Sequence, residues 1–88
     1  MNYIGIDLGG TKAVGAIFNT DGEILLQKHA LLENRSGDEV GALVCNLCRD
    51  ICDEGGILQG APLSIGVCIP GISYSDTGCV WAPNIPGW

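Results

Sequence analysis

Over the first third of the chain, apolar residues fall into three short runs separated by turn residues. Tyr3–Leu8 reads "YIGIDL", apolar except for Asp7, with Gly5 inside it. Such a run predicts a buried strand with a close neighbour. Ala13–Phe18 predicts a second strand. Between it and the next run stands "NTDG", Asn19–Gly22, whose residues accept the backbone angles of a tight hairpin turn. Glu23–Leu31 then predicts a third strand with one wetter face, completing an antiparallel meander.

The period changes after Leu31. Ser36 or Asp38 is positioned to cap a helix, and Asp38 and Glu39 suit the positive end of its dipole. Val40, Leu43, Val44, Leu47 and Ile51 recur at helical spacing, and Gly55-Gly56 ends the helix. "LSIGVCIP" follows, an almost unbroken apolar run of the kind buried on both faces. A strand reached through a helix usually lies parallel to an earlier one. The pattern therefore predicts an α/β fold, β-β-β-α-β, with a mixed sheet and the fourth strand beside the first. The tail, "GISYSDTGCVWAPNIPGW", predicts a small hairpin across Asp76-Thr77-Gly78 and then an irregular loop. No repeat or interdomain linker interrupts the chain.

Composition adds limits. Eighty-eight residues hold one small domain. A hydrophobic share of 47 % and a mean hydropathy of +0.31 are rich for so short a chain. Together with a strand edge and an apolar face left uncovered, they predict self-association into a homo-oligomer. Ten acidic residues outweigh four basic ones, for a net charge of −6, and no basic stripe exists to hold nucleic acid. There is no basic segment ahead of the first apolar run, which Asp7 interrupts early, so no signal peptide is expected. No stretch approaches the ~18 apolar residues of a membrane helix. Five cysteines, an odd number, suit reduced thiols and a cytoplasmic location. Cys45, Cys48 and Cys52 share one helical face, where core packing is expected rather than a metal site. His29 is expected at a surface or edge position of the third strand.

The chemistry concentrates in "DLGGTK", Asp7–Lys12. This is not a Walker A loop, whose spacing differs, and not a dinucleotide fingerprint, because a strand rather than a helix follows. It is a tight hairpin whose glycines leave backbone N–H groups uncovered, and such groups bind anions. Thr11 adds a hydroxyl and Lys12 a charge. Asp7 cannot touch a phosphate directly but can hold a hydrated Mg²⁺ that does. Taken alone, the same residues read more readily as an ordinary glycine turn with Asp7 as a cap.

Two segments tip that balance. "IGIDLGGTK" resembles the first phosphate motif of the ROK family, sugar kinases related to bacterial glucokinase. "IGVCIPG" followed by "DTGCVWAPNIPGW" resembles that family's Ile-Pro-Gly turn and its Ala-Pro-Asn-Leu-x-Gly-Trp segment. The two matches lie in family order at opposite ends of the chain. The resemblance implies the actin-like, ribonuclease H-like fold, with residues 1–88 as the N-terminal ATPase-like lobe of a several-fold longer protein. It implies transfer of the ATP γ-phosphoryl group, with Mg²⁺, to a hydroxyl of a hexose or N-acetylated hexosamine. Asp7, Gly9, Gly10, Thr11 and Lys12 would then face the nucleotide phosphates, with Asp7 reaching Mg²⁺ through water. Gly71 and Asn84 would face the sugar. Members often carry glycine where Cys68 stands, and an acid where Ser73 and Tyr74 stand. The family's catalytic Asp lies in a Gly-Asn-Asp segment; Asp50, Asp53 and Asp76 are in no such segment, so the 88 residues are expected to be inactive alone. The Cys-rich zinc motif of many members is also missing from these residues. Two other readings remain open. One is the lobe of a ROK-type sugar-sensing transcriptional regulator, although its helix-turn-helix would have to precede the first strand. The other is a non-enzymatic domain of the same superfold.

Overall fold

A computed structural model describes residues 1–57, 60, 61 and 63–88. The meander comprises β1 (Asn2–Leu8), β2 (Lys12–Phe18) and β3 (Ile24–Leu31). Helix α1 (Asp38–Glu54) leads to β4 (Leu63–Cys68), and β5 (Ile72–Tyr74) and β6 (Cys79–Trp81) form a separate hairpin. The main sheet has the order β3-β2-β1-β4, antiparallel except for the parallel pair β1–β4. The predicted fourth strand does lie beside the first.

Local chemistry explains the turns. Asn19 Oδ1 accepts from the amides of Asp21 and Glu23, both at 3.0 Å, and Gly22 takes a φ of 81°. At the β5–β6 turn Gly78 donates to the Tyr74 carbonyl at 2.9 Å. The helix ends as Gly55-Gly56 predicted: Gly56 is left-handed, its amide donates to Asp53 O, and the Ile57 amide donates to Cys52 O. That double bond satisfies carbonyls a helix end otherwise leaves bare.

Strand alternation sorts the sheet into two faces. Ile4, Ile6 and Leu8 of β1 lie opposite Ile17, Gly15 and Ala13 of β2, and all are buried toward α1. The helix supplies Val40, Leu43, Leu47 and Ile51 to the same core. At Gly15 a Cβ would stand 2.6 Å from Ile51 Cδ1 and 2.8 Å from Ile6 Cδ1, so glycine is what lets the helix seat on β2. Leu32, after β3, and Ala82 and Ile85 from the tail complete the cluster.

Three expectations need correction. First, β4 is not covered on both faces. Ile65 and Val67 are 49 % and 48 % exposed. The helix packs over β2 and β3, and β4 lies beyond it at the sheet edge. Second, neither Ser36 nor Asp38 caps α1. Gly37 occupies the cap position with a φ of 55° and no side-chain cap bond. The tail braces this end of the helix instead: Trp88 Nε1 donates to Gly37 O at 2.9 Å, and the Gly37 amide donates to Pro86 O at 2.9 Å. Gly87 makes this possible, since a Cβ there would stand 2.6 Å from the Gly37 nitrogen. Third, only Cys48 and Cys52 pack against the core, while Cys45 is exposed. Burial pushes the Cys48 thiol up from its ordinary pKa, and the Cys45 and Cys52 thiols add to the shift.

Candidate functional site: the glycine hairpin and the Asn84 loop

β1 turns into β2 with almost no loop. Leu8 and Ala13 still pair across the ladder, and the Gly9 amide donates to the Lys12 carbonyl at 2.9 Å. The Thr11 carbonyl is taken by the Leu32 amide, also at 2.9 Å. That bond ties the hairpin to the turn after β3, where Glu33 and Asn34 both have positive φ. Among the described residues, the amides of Gly10 and Thr11 have no acceptor. Two adjacent N–H groups of the turn are therefore left without a protein partner among the described residues.

The side chains nearby are equally uncommitted. Asp7 is exposed near the end of β1, on the face away from α1, with Val14 and Cys68 as its ladder neighbours. It borders a shallow depression in that face whose floor is small: Gly5, Ala16 and Gly66. Lys12 and Thr11 are exposed, and neither Asp7 nor Lys12 makes an ion pair among the described residues. Two free amides, a hydroxyl and an ammonium are a fitting set for phosphate oxygens. A free carboxylate at the base of that turn fits a hydrated Mg²⁺, which takes few protein ligands and keeps its waters.

Asn84 is brought directly onto this hairpin. A Cβ at Gly10 would overlap the Asn84 carbonyl oxygen and stand 3.4 Å from its carbon. Asn84 itself is exposed, between buried Ala82 and Ile85. Gly71 lies at the base of the β5–β6 hairpin, where a Cβ would run into the Trp81 carbonyl oxygen and stand 2.8 Å from Ala82 Cα. Asn84 is thus two residues along the chain from the contact that Gly71 makes. Sequence reasoning named Gly10 and Asn84 as candidates but did not foresee that they touch. The available signal was the glycine doublet. Neither Gly9 nor Gly10 has a positive φ, so the turn's dihedrals do not require them; at Gly10 close approach of the Asn84 backbone is the reason for a missing side chain.

Asp50 and Asp53 sit on α1 and Asp76 at the β5–β6 turn, none of them on the hairpin or the Asn84 loop. His29 is exposed on the edge strand β3, opposite Val14. Lys28 of β3 pairs with Glu54 of α1 at 2.6 Å, and that hydrogen bond raises the lysine pKa. No group of three or more His, Cys, Asp or Glu side chains suited to a metal is found among the described residues. No described helix is long and apolar enough to cross a membrane.

The chain is similar to known proteins over nearly its whole length. The N-acetyl-D-glucosamine kinase of Pectobacterium atrosepticum is 30 % identical over 84 residues, which are 96 % of this chain and 26 % of that protein. That of Yersinia pestis is 27 % identical over 84 residues, 96 % of this chain and 31 % of that protein. The chain thus spans roughly a quarter to a third of the curated relatives it matches. Among solved structures, a ROK hexokinase from Thermus thermophilus superposes with a TM-score of 0.75 at 26 % identity, covering 99 % of this chain and 28 % of that one. A ROK family glucokinase from Streptomyces griseus, solved with glucose and AMPPNP, gives a TM-score of 0.75 at 22 % identity, over 97 % of this chain and 26 % of that one, and speaks to fold alone. The fold is therefore the actin-like, ribonuclease H-like one expected from the sequence. The model of the ROK family matches residues 3–88, and the chain belongs to that family.

Proposed function

We propose that these 88 residues are the N-terminal ATPase-like lobe of an ATP-dependent kinase of hexoses or N-acetylated hexosamines. The observation that carries this reading is the seating of Asn84 on a hairpin with two free amides. A phosphate-binding turn and a polar sugar-binding residue are in contact, as a phosphoryl donor and its acceptor must be. The relatives named as kinases of N-acetyl-D-glucosamine support both the kinase chemistry and the substrate class.

In this reading the amides of Gly10 and Thr11, the Thr11 hydroxyl and the Lys12 ammonium hold the nucleotide phosphates. Gly9 leaves room for their approach. Asp7 orients a hydrated Mg²⁺, which when bound supplies positive charge against the phosphate oxygens. The chain needs that help, because its own charge is −6. Asn84 can donate and accept at once, which suits a sugar hydroxyl; Gly71 shapes the wall behind it. Phosphoryl transfer of this type is catalysed mainly by positioning and charge neutralisation. The residues described here do the positioning. None stands as a general base, so the 88 residues by themselves turn over no sugar, and the protein works in the cytoplasm as part of a longer chain.

The test is a coupled ADP-release assay of the whole protein across hexoses and N-acetylated hexosamines. Magnesium-dependent turnover with at least one sugar is expected. No turnover with any of them would sink the reading and leave the regulator or non-enzymatic alternatives.

A further inference from the structure

The two glycines of the hairpin have different surroundings. A Cβ at Gly9 would meet only the Lys12 carbonyl oxygen, at 3.5 Å, an ordinary van der Waals distance. Within the chain, Gly9 has no steric need to be glycine. A Cβ at Gly10 would overlap the Asn84 carbonyl oxygen. That atom is backbone, so no side-chain rotation relieves the clash.

One side must move, and the hydrogen bonds say which. The hairpin is tied on both flanks, by Gly9 to Lys12 O and by Leu32 to Thr11 O. The tail loop is tied at Ala82, Ile85, Pro86 and Trp88. Asn84 lies between those ties, and its own N–H and C=O make no backbone hydrogen bond among the described residues. Gly10 makes no backbone hydrogen bond either, but its ties stand one residue away on each side, whereas the nearest tie before Asn84 is two residues off, so Asn84 has the more slack.

We propose that the adjacent glycines divide the two substrates between them: Gly9 keeps space for the phosphates, and Gly10 is a positioning residue for the sugar, acting through Asn84. This deepens the kinase reading and rests on it. A small outward shift of Asn84 leaves the amides of Gly10 and Thr11 in place while moving the hydroxyl partner of the sugar. Misplacement of about 1 Å is enough to cost an order of magnitude or more in a positioned interaction.

The experiment compares Gly9→Ala and Gly10→Ala in the whole protein. Sugar affinity is measured by calorimetry without nucleotide, and KM for sugar and ATP by the coupled assay. Gly10→Ala is expected to weaken sugar binding about tenfold or more, with a clearly smaller rise in the KM for ATP. Gly9→Ala is expected to do the reverse. If Gly10→Ala raises the KM for ATP as much as it weakens sugar binding, or leaves sugar binding unchanged, the division of labour is wrong. Failure of the unsubstituted protein to turn over any sugar is a separate result, and it defeats the kinase reading itself. Should Gly10→Ala not fold, hydrogen exchange of the unsubstituted protein decides. Magnesium and a non-hydrolysable ATP analogue, without sugar, should slow exchange at the Ile85 and Trp88 amides, and unchanged rates there would overturn the proposal.

Discussion

The two faces of the main sheet are made by the same strands and hold opposite contents. Toward α1, Ile4, Ile6, Leu8, Ala13 and Ile17 are almost wholly buried. On the other face, Tyr3 and Leu31 are exposed, Phe18 is half-buried, and Asp7 stands free among them. One face is fixed by packing against a helix inside the chain. The other has no cover among the described residues and holds the uncommitted Asp7. The difference teaches that alternation in a strand is read by its neighbours. A residue's burial depends on which element is available to cover it, as the half-exposed Ile65 and Val67 show on the covered side.

The sharpest way to test the comparison is to remove a packed atom group. Ile51 is fully buried and contacts the space at Gly15. Ile51→Ala should cost about 2–5 kcal/mol of stability in urea titration. Leu31→Ala, on the open face, should cost less than about 0.5 kcal/mol. Equal losses would erase the distinction between the faces. Asp7→Asn comes next. In the whole protein it should cut turnover by about 10²–10³, the range for removing one preorganised electrostatic group, while the melting temperature holds. A large loss of melting temperature with normal turnover would make Asp7 a structural cap.

Association is a milder effect. The 88-residue chain should sediment as a dimer at crystallisation concentrations, through the open face or the β4 edge, with Tyr3→Ser and Phe18→Ser together shifting it toward monomer. A 9.2 kDa monomer at every concentration would mean that the open face needs no cover.

The smallest effects are those of pH. The Cys48 pKa is raised on folding, so the unfolded thiol ionises first. Its contribution to stability is full below the ordinary thiol pKa and is lost as pH rises through the raised value. Cys48→Val should flatten that alkaline decline in urea titrations at increasing pH. Lys28, also raised, acts in the same direction at higher pH. Its bond to Glu54 is solvent-exposed, and Glu54→Gln should shift the urea midpoint least of all.

The sequence carried most of this architecture. Each strand of the main sheet stands within one residue of its expected start, because period-2 runs and Asn/Gly turns are local signals. The helix end was legible for the same reason. Its start was not, because its brace comes from Pro86 and Trp88, far away in sequence. Cys45 misled because three cysteines at helical spacing span more arc than the helix buries. At the site, the residue types were legible and their juxtaposition was not. The meeting of Gly10 and Asn84 depends on how β5 and β6 return the chain to the sheet, and no local pattern encodes that path.

The brace supplied by the tail also sets an order of events in time. Residues 37 and 88 are joined by a hydrogen bond across 51 positions of sequence. On the ribosome, α1 is complete long before Trp88 has been made. Until then the Gly37 amide lacks its Pro86 partner, and short helices without tertiary support are marginal in water. The newborn helix must wait, held only by what it finds on β2 and β3. Loop closure over such a length grows costly only logarithmically, so the wait ends cheaply once the tryptophan emerges. Within these 88 residues the clasp therefore closes after the helix it holds: Trp88 reaches Gly37 only when the tail has been made.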